Sequence, residues 1–284
     1  DMISQGSISS GHARAIMNSA FPEQLAEKIV NENLSVSAGR QSVDITDAAD
    51  DDISVTFEAQ AAAHTITGTI DNAVAADETA IHVTDATAGA VPDIITFASN
   101  IGSTIAVDAI TVGSATVGGS AVFSGNVSAT AFNVLGGNHA SEDNLANMKG
   151  NLTGAVTLNN ATGDATLTFS GTAAQEMTGA IVAASDGEGI LTTANSASTV
   201  TFDAIGTDAA KLVSITVAAS NHAVFGAATA ANTLTITGSA TMQENDNESE
   251  VFAMGAAGIL YVDKTVTNGE ELIDEVATTR PTIT

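Results

Sequence analysis

From about Gln41 to Gln243 the chain is written in short runs rich in Val, Ile, Thr and Phe, among them ISVTFEA, HTITGTI, AIHVTDA, IITFASN, GAVTLNN, ATLTFSG, TVTFDAI, LVSITVA and TLTITGS. Gly, Asn, Asp and Ser separate the runs, which recur about every 12 residues, the spacing of an all-β sandwich or solenoid. The side chains are small and β-branched: aromatics make up 4% of the chain, Trp is absent and Tyr261 is the one tyrosine. Such residues suit thin, closely stacked strands better than a bulky core. The fold class expected is therefore all-β, a repetitive β-solenoid or tandem β-sandwich modules, with short helical termini.

A longer repeat overlies the strand pattern. ISVTFEAQAAAHTITGTI matches ATLTFSGTAAQEMTGAI, and ITFASNIGSTIAVDAITV matches VTFDAIGTDAAKLVSITV, at offsets of about 105 to 112 residues that pair Thr56 with Thr168, Gly68 with Gly179, Phe97 with Phe202 and Val112 with Val217. This predicts two β modules, 41–150 and 151–243, in a stacked, quasi-one-dimensional architecture.

Both ends differ. In 1–40, Ala13, Ile16, Met17 and Ala20 share one helical face, and Leu25, Ala26, Ile29 and Val30 another, with Pro22 placed at a helix start. In 244–284, ENDNESE predicts an acidic loop and GILYVDKTV a strand, and Asn268 with Glu271 caps a helix over EELIDEV. Their apolar stripes, Leu25/Ile29 and Leu272/Ile273/Val276, make the ends the expected sites of contact between copies.

The stretch ITFASNIGS followed by AITVGSATVGGSAVFSGNVSATAFNV, Ala109 to Val134, resembles the β-strand repeats of large bacterial surface proteins, S-layer proteins and autotransporter passenger domains among them. VTFDAIGTDAAKLVSITV echoes it. The resemblance implies a solenoid or stacked β fold at the cell surface and carries no catalytic residue. It stops short of those families at two points: no C-terminal membrane barrel is visible, and GGNHASEDN, Gly136 to Asn144, lacks the Gly and Asp positions of calcium-binding nonapeptides.

Charge narrows the partners. Seven Lys and Arg stand against 33 Asp and Glu, a net charge of −26, and between Arg40 and Lys264 the only cations are Lys149 and Lys211. Nucleic acid and anionic membrane need a basic surface, so neither is an expected partner. With 44% hydrophobic residues and a positive mean hydropathy, the chain is too apolar for general disorder. Cysteine is absent, which removes disulfides and thiolate metal sites. The longest apolar run, AMGAAGILYV, is too short to span a bilayer. A first residue Asp1 with no leader-like segment fits a mature exported chain.

Two carboxylate clusters are the candidate metal ligands: Asp47, Asp50, Asp51 and Asp52 in DAADDD, and Glu244, Asp246, Glu248 and Glu250 in ENDNESE. Ca²⁺ takes six to eight oxygens in flexible geometry, which such loops can supply. The competing reading is a solvated acidic loop, since neither has the spacing and glycine turn of an EF-hand. His12, His64, His82, His139 and His222 are scattered without ligand spacing. No G-x-S-x-G elbow or P-loop lysine occurs, and Gly118, Gly119, Gly136 and Gly137 read as turn residues permitting positive φ. Asn33, Asn126, Asn151, Asn160 and Asn247 each head an N-x-[ST] triplet.

These observations predict no enzyme. The function expected is a secreted structural protein that assembles with copies of itself into an extracellular lattice or filament, with Ca²⁺ as the cation that would bridge its carboxylates. A phage tail fibre or capsid-decoration protein is the alternative, or an adhesin, although the aromatic platform usual for glycan binding is missing.

Overall fold

The computed structural model describes residues 43–45, 53–59, 63–72, 79–85, 93–140, 143–194, 198–243, 247–254, 258–262 and 273–274. Asp44–Thr284 is one compact unit, and its described strands from Ile53 onward stack as a parallel β-solenoid. The described part contains no helix.

The chain winds through three faces per turn. Face A carries Ile53–Ala59, Thr79–Asp85, Val107–Val112 and Ile181–Ala183, and face B carries His64–Ile66, Ile94–Phe97, Ser120–Phe123, Asn144–Met148, Ala165–Phe169, Glu188–Thr193, Leu212–Val217 and Ala230–Ile236. Face C carries Ile70–Asn72, Gln175–Thr178, Thr199–Phe202, His222–Phe225, Ser239–Met242 and Ile259–Val262. Two long strands, Val127–Leu135 and Leu152–Asn159, begin on face C and end on face A. They turn the corner at a register shift between Thr153 and Ala155, where Gly154 has φ +140°. Toward the C-terminal end face A shrinks to single bridges, Ile181 to Ile205 and Ile205 to Thr229, while faces B and C continue.

Alternation along each strand sends one set of side chains inward. Identical rows therefore stack turn on turn: Ile81, Ile110 and Phe132 on face A, Phe97, Phe123, Met148 and Phe169 on face B, and Met177, Phe202, Phe225 and Met242 on face C, all buried. Phe97 and Phe123 stack with centroids 5.2 Å apart, and Phe202 and Phe225 at 5.9 Å; Phe169 meets Phe202 edge-on at 5.3 Å. Buried alanines, Ala121, Ala146, Ala165, Ala223 and Ala240, fill the rows between them and keep the interior narrow. Asn144 and Gln175 are buried polar exceptions that saturate corner backbone. Asn144 Oδ1 accepts the Gly119 amide at 2.7 Å and its Nδ2 donates to the Leu135 carbonyl; Gln175 Oε1 accepts the Gly171 amide, and its Nε2 donates to the Met148 and Gly150 carbonyls.

Three sequence readings change. The offset pairs do not occupy equivalent places: Thr56 and Val112 lie on face A but Thr168 and Val217 on face B, and Phe97 lies on face B but Phe202 on face C. The long repeat slips by one face because any strand of this composition fits any face. The repeating unit is a single turn, and the 150/151 boundary falls inside a continuous stack, with Leu152–Asn159 paired on both sides. Of the helix expected over EELIDEV, Ile273–Asp274 is instead extended and pairs with Asn247 and Glu248. Gly118, Gly119, Gly136 and Gly137 do not have positive φ. Close approach requires glycine at two of them: a Cβ on Gly119 would lie 2.3 Å from the Val83 carbonyl oxygen, and one on Gly136 2.0 Å from that of Gly163.

Candidate functional site

The corners hold most of the described polar chemistry, and they spend it on backbone. Asn100 Oδ1 accepts the Asn126 amide, Asn126 Oδ1 the Asn151 amide and Asn151 Oδ1 the Glu176 amide, at 2.9, 2.9 and 3.0 Å. Asn160 Oδ1 accepts the amides of Ala165 and Gly189. Carboxylates do the same: Asp143 accepts the Asp164 amide, Asp186 that of Lys211 and Asp203 that of Gly179. Asp71 holds the next turn's 103–105 loop through the Ser103 hydroxyl and the Thr104 and Ile105 amides. Burial pushes the Asp71 carboxyl upward, but the Thr104 and Ile105 amides and the two hydroxyl-bearing neighbours outweigh it and hold it below the usual 3.8.

Asp47, Asp50, Asp51, Asp52, Glu244 and Asp246 lie outside the described residues, as do the side chains of Glu248 and Glu250. The backbone of Glu248 and Glu250 belongs to the strand Asn247–Met254, so the NESE part of ENDNESE is extended where a loop was expected. Among the described residues no three His, Asp or Glu side chains gather as a metal site. The N-x-[ST] asparagines 126, 151 and 160 are the corner acceptors just described.

One polar depression interrupts face C near its C-terminal end, a space of about 440 Å³ bordered by Thr199, Ser220, Asn221, His222, Ser239 and Ile259. His222 Nδ1 lies 2.7 Å from Ser239 Oγ and its Nε2 3.2 Å from Thr241 Oγ1. Partial burial holds the imidazole below its usual 6.5, so it is neutral at pH 7. Ser220 has φ +65°, and the buried Oδ1 of Asn221 has no protein partner. A serine beside a neutral histidine suggests nucleophilic chemistry, but the nearby amides are committed. Gly238 N donates to Val217 O and Ser239 N to Asn221 O, leaving neither to stabilise an oxyanion. His222 and Ser239 are partners in register on neighbouring parallel strands, which alone brings them together.

Face B offers the larger feature. Its outward side chains form two columns in register. One runs through Thr65, Thr96, Val122, Asn147, Thr168, Thr192, Thr216 and Thr235. The other runs through Ile94, Ser120, Leu145, Thr166, Ile190, Ser214 and Thr233. Neither column contains a charged residue. Like charges stacked at the ~4.8 Å strand spacing would repel, and the described carboxylates that do lie in strands, Glu58, Asp71, Asp85, Asp108, Glu176 and Glu188, stand outside these two columns. The sequence reading did not assign these columns; the alternate Thr positions in ATLTF and TLTI were the available signal.

No protein-family model, curated protein or solved structure matches the chain.

Proposed function

We propose that the chain is a non-enzymatic structural protein of a cell surface, a rigid solenoid segment that assembles with copies of itself into a lattice or filament. The observation that carries this reading is the unbroken parallel stack from Ile53 to Val262, whose corner asparagines and carboxylates bind backbone rather than converge on a cleft. Such a stack resists bending, because each turn is hydrogen-bonded to its neighbours along at least two faces. Its acidic surface makes assembly sensitive to divalent cations, Ca²⁺ foremost, which would relieve repulsion between copies.

Negative-stain electron microscopy of the purified chain, with Ca²⁺ and with EDTA, tests the reading. Ordered sheets or filaments are expected with Ca²⁺. Particles that stay single at every protein and cation concentration overturn it. A discrete trimer without further growth would favour the virion-fibre alternative.

A further inference from the structure

We infer that face B is the surface through which two copies pack laterally, sheet on sheet, related by a two-fold axis parallel to the solenoid axis; the inference rests on the self-assembly reading above. In a chain of net charge −26, two copies repel wherever their corners meet. The two columns of face B are the longest uncharged path among the described residues, half-buried for most of their length and including Leu145 and Ile190, whereas the uncharged columns of face A, such as Thr111, Asn133, Thr157 and Val182, cross fewer strands. From the strand at Ile94 to the strand at Val251 the strip is roughly 34 Å long at ~4.8 Å per strand. A second copy is the occupant with the same strand repeat, so its columns stay in step with these over the whole length.

The rim fixes the orientation. The strand Asn144–Met148 is preceded by Asp143 and followed by Lys149, both exposed, and Lys149 is the exposed cation between Arg40 and Lys264, Lys211 being buried. Both groups sit the same number of residues from Ala146, at opposite edges of face B. A two-fold axis along the solenoid keeps each turn at its own level and exchanges the edges. It lays this strand over its own copy and sets Asp143 of each chain against Lys149 of the other, twice per dimer. A two-fold axis along the strands would instead bring acidic edge to acidic edge.

The experiment is sedimentation of the full chain in its wild-type form, as Thr168→Lys/Thr192→Lys, as Lys149→Glu, and as the reversal Asp143→Lys/Lys149→Glu, each checked by circular dichroism and melting. Lysines inside the strip abolish the dimer, and Lys149→Glu weakens it about tenfold or more, as loss of two interfacial ion pairs would. The reversal recovers most of that loss, and the wild-type dimer strengthens as salt screens the remaining repulsion. Lys149 is exposed and its bond into the stack, to the Phe123 carbonyl, is made by the backbone amide, so its side-chain variant tests the interface even if the double lysine fails to fold. A wild-type chain that assembles unaltered in every folded variant sinks this inference and leaves self-assembly standing; a chain that never associates sinks both. Inhibition of ice-crystal growth by a monomeric wild type, lost in Thr168→Lys/Thr192→Lys, would overturn it by assigning the face to an ordered water lattice.

Discussion

Asn126 Oδ1 accepts the backbone amide of Asn151 at 2.9 Å, one turn along the stack, while the amide of Asn126 itself donates to Asn100 Oδ1 at the same distance. Each asparagine thus closes the corner of the turn that follows it and is held by the turn before. Asn126→Ala removes the acceptor and leaves the Asn151 amide to water, which should cost about 1 kcal/mol. Asn126→Asp keeps an acceptor and should lose less at pH 7. Urea denaturation compares the two midpoints; equal losses would mean that the ladder contributes little to stability.

At the corner between faces C and A the constraint is steric. Gly154 has φ +140°, and a Cβ there would lie 1.8 Å from the Ala129 carbonyl oxygen, an atom of backbone that cannot swing aside. Gly154→Ala should therefore cost about 3 kcal/mol or more through strain and displaced strands. Gly187 also has positive φ, +76°, but its nearest neighbour is the Asn232 side-chain amide at 3.2 Å. Gly187→Ala should cost only the backbone penalty, about 1–2 kcal/mol. Thermal melts of the two variants should rank in that order.

The difference between these glycines is where sequence reading ran out. Runs such as ATLTF and LVSITV announce strands by their alternation, and an all-β stack followed from them correctly. Which face a run occupies did not follow, because Phe97 and Phe202 sit in like patterns on different faces. The deciding information is the length of the corner before each strand and the turn-to-turn contacts of residues such as Asn126 and Gly154, which alternation does not encode. The histidine–serine pair was illegible for the same reason: His222 and Ser239 meet through register between strands 17 residues apart.

Phe202 joins two interior rows, stacking on Phe225 of its own face and meeting Phe169 of face B edge-on. Phe202→Ala should cost about 3–5 kcal/mol, from lost transfer energy and a cavity that the hydrogen-bonded turns cannot collapse to fill. Phe202→Leu should retain much of the packing and lose the ring contacts, about 0.5–1.5 kcal/mol each beyond burial. Calorimetry reads both. A small effect of Phe202→Ala would show that the turns close around the missing ring.

The acid sensitivity of Asp71 has a defined sign. Its folded pKa is held below the usual 3.8 by the bonds to Ser103, Thr104 and Ile105, so the ionised form is the one that the fold favours. The stabilisation from these bonds is complete above the unfolded value, begins to fade as pH falls past 3.8, and is gone below the lower folded value. Acidification also discharges the other carboxylates of this chain and relieves their repulsion, which pushes stability the opposite way. The comparison must therefore be with Asp71→Asn, which shares that background and keeps one acceptor without the charge. The wild type should melt higher than Asp71→Asn at pH 7, and the gap should narrow progressively below pH 3.8. A gap that holds constant through the acid range would mean that the carboxylate's charge contributes nothing to holding the 103–105 loop, and that a neutral acceptor serves as well.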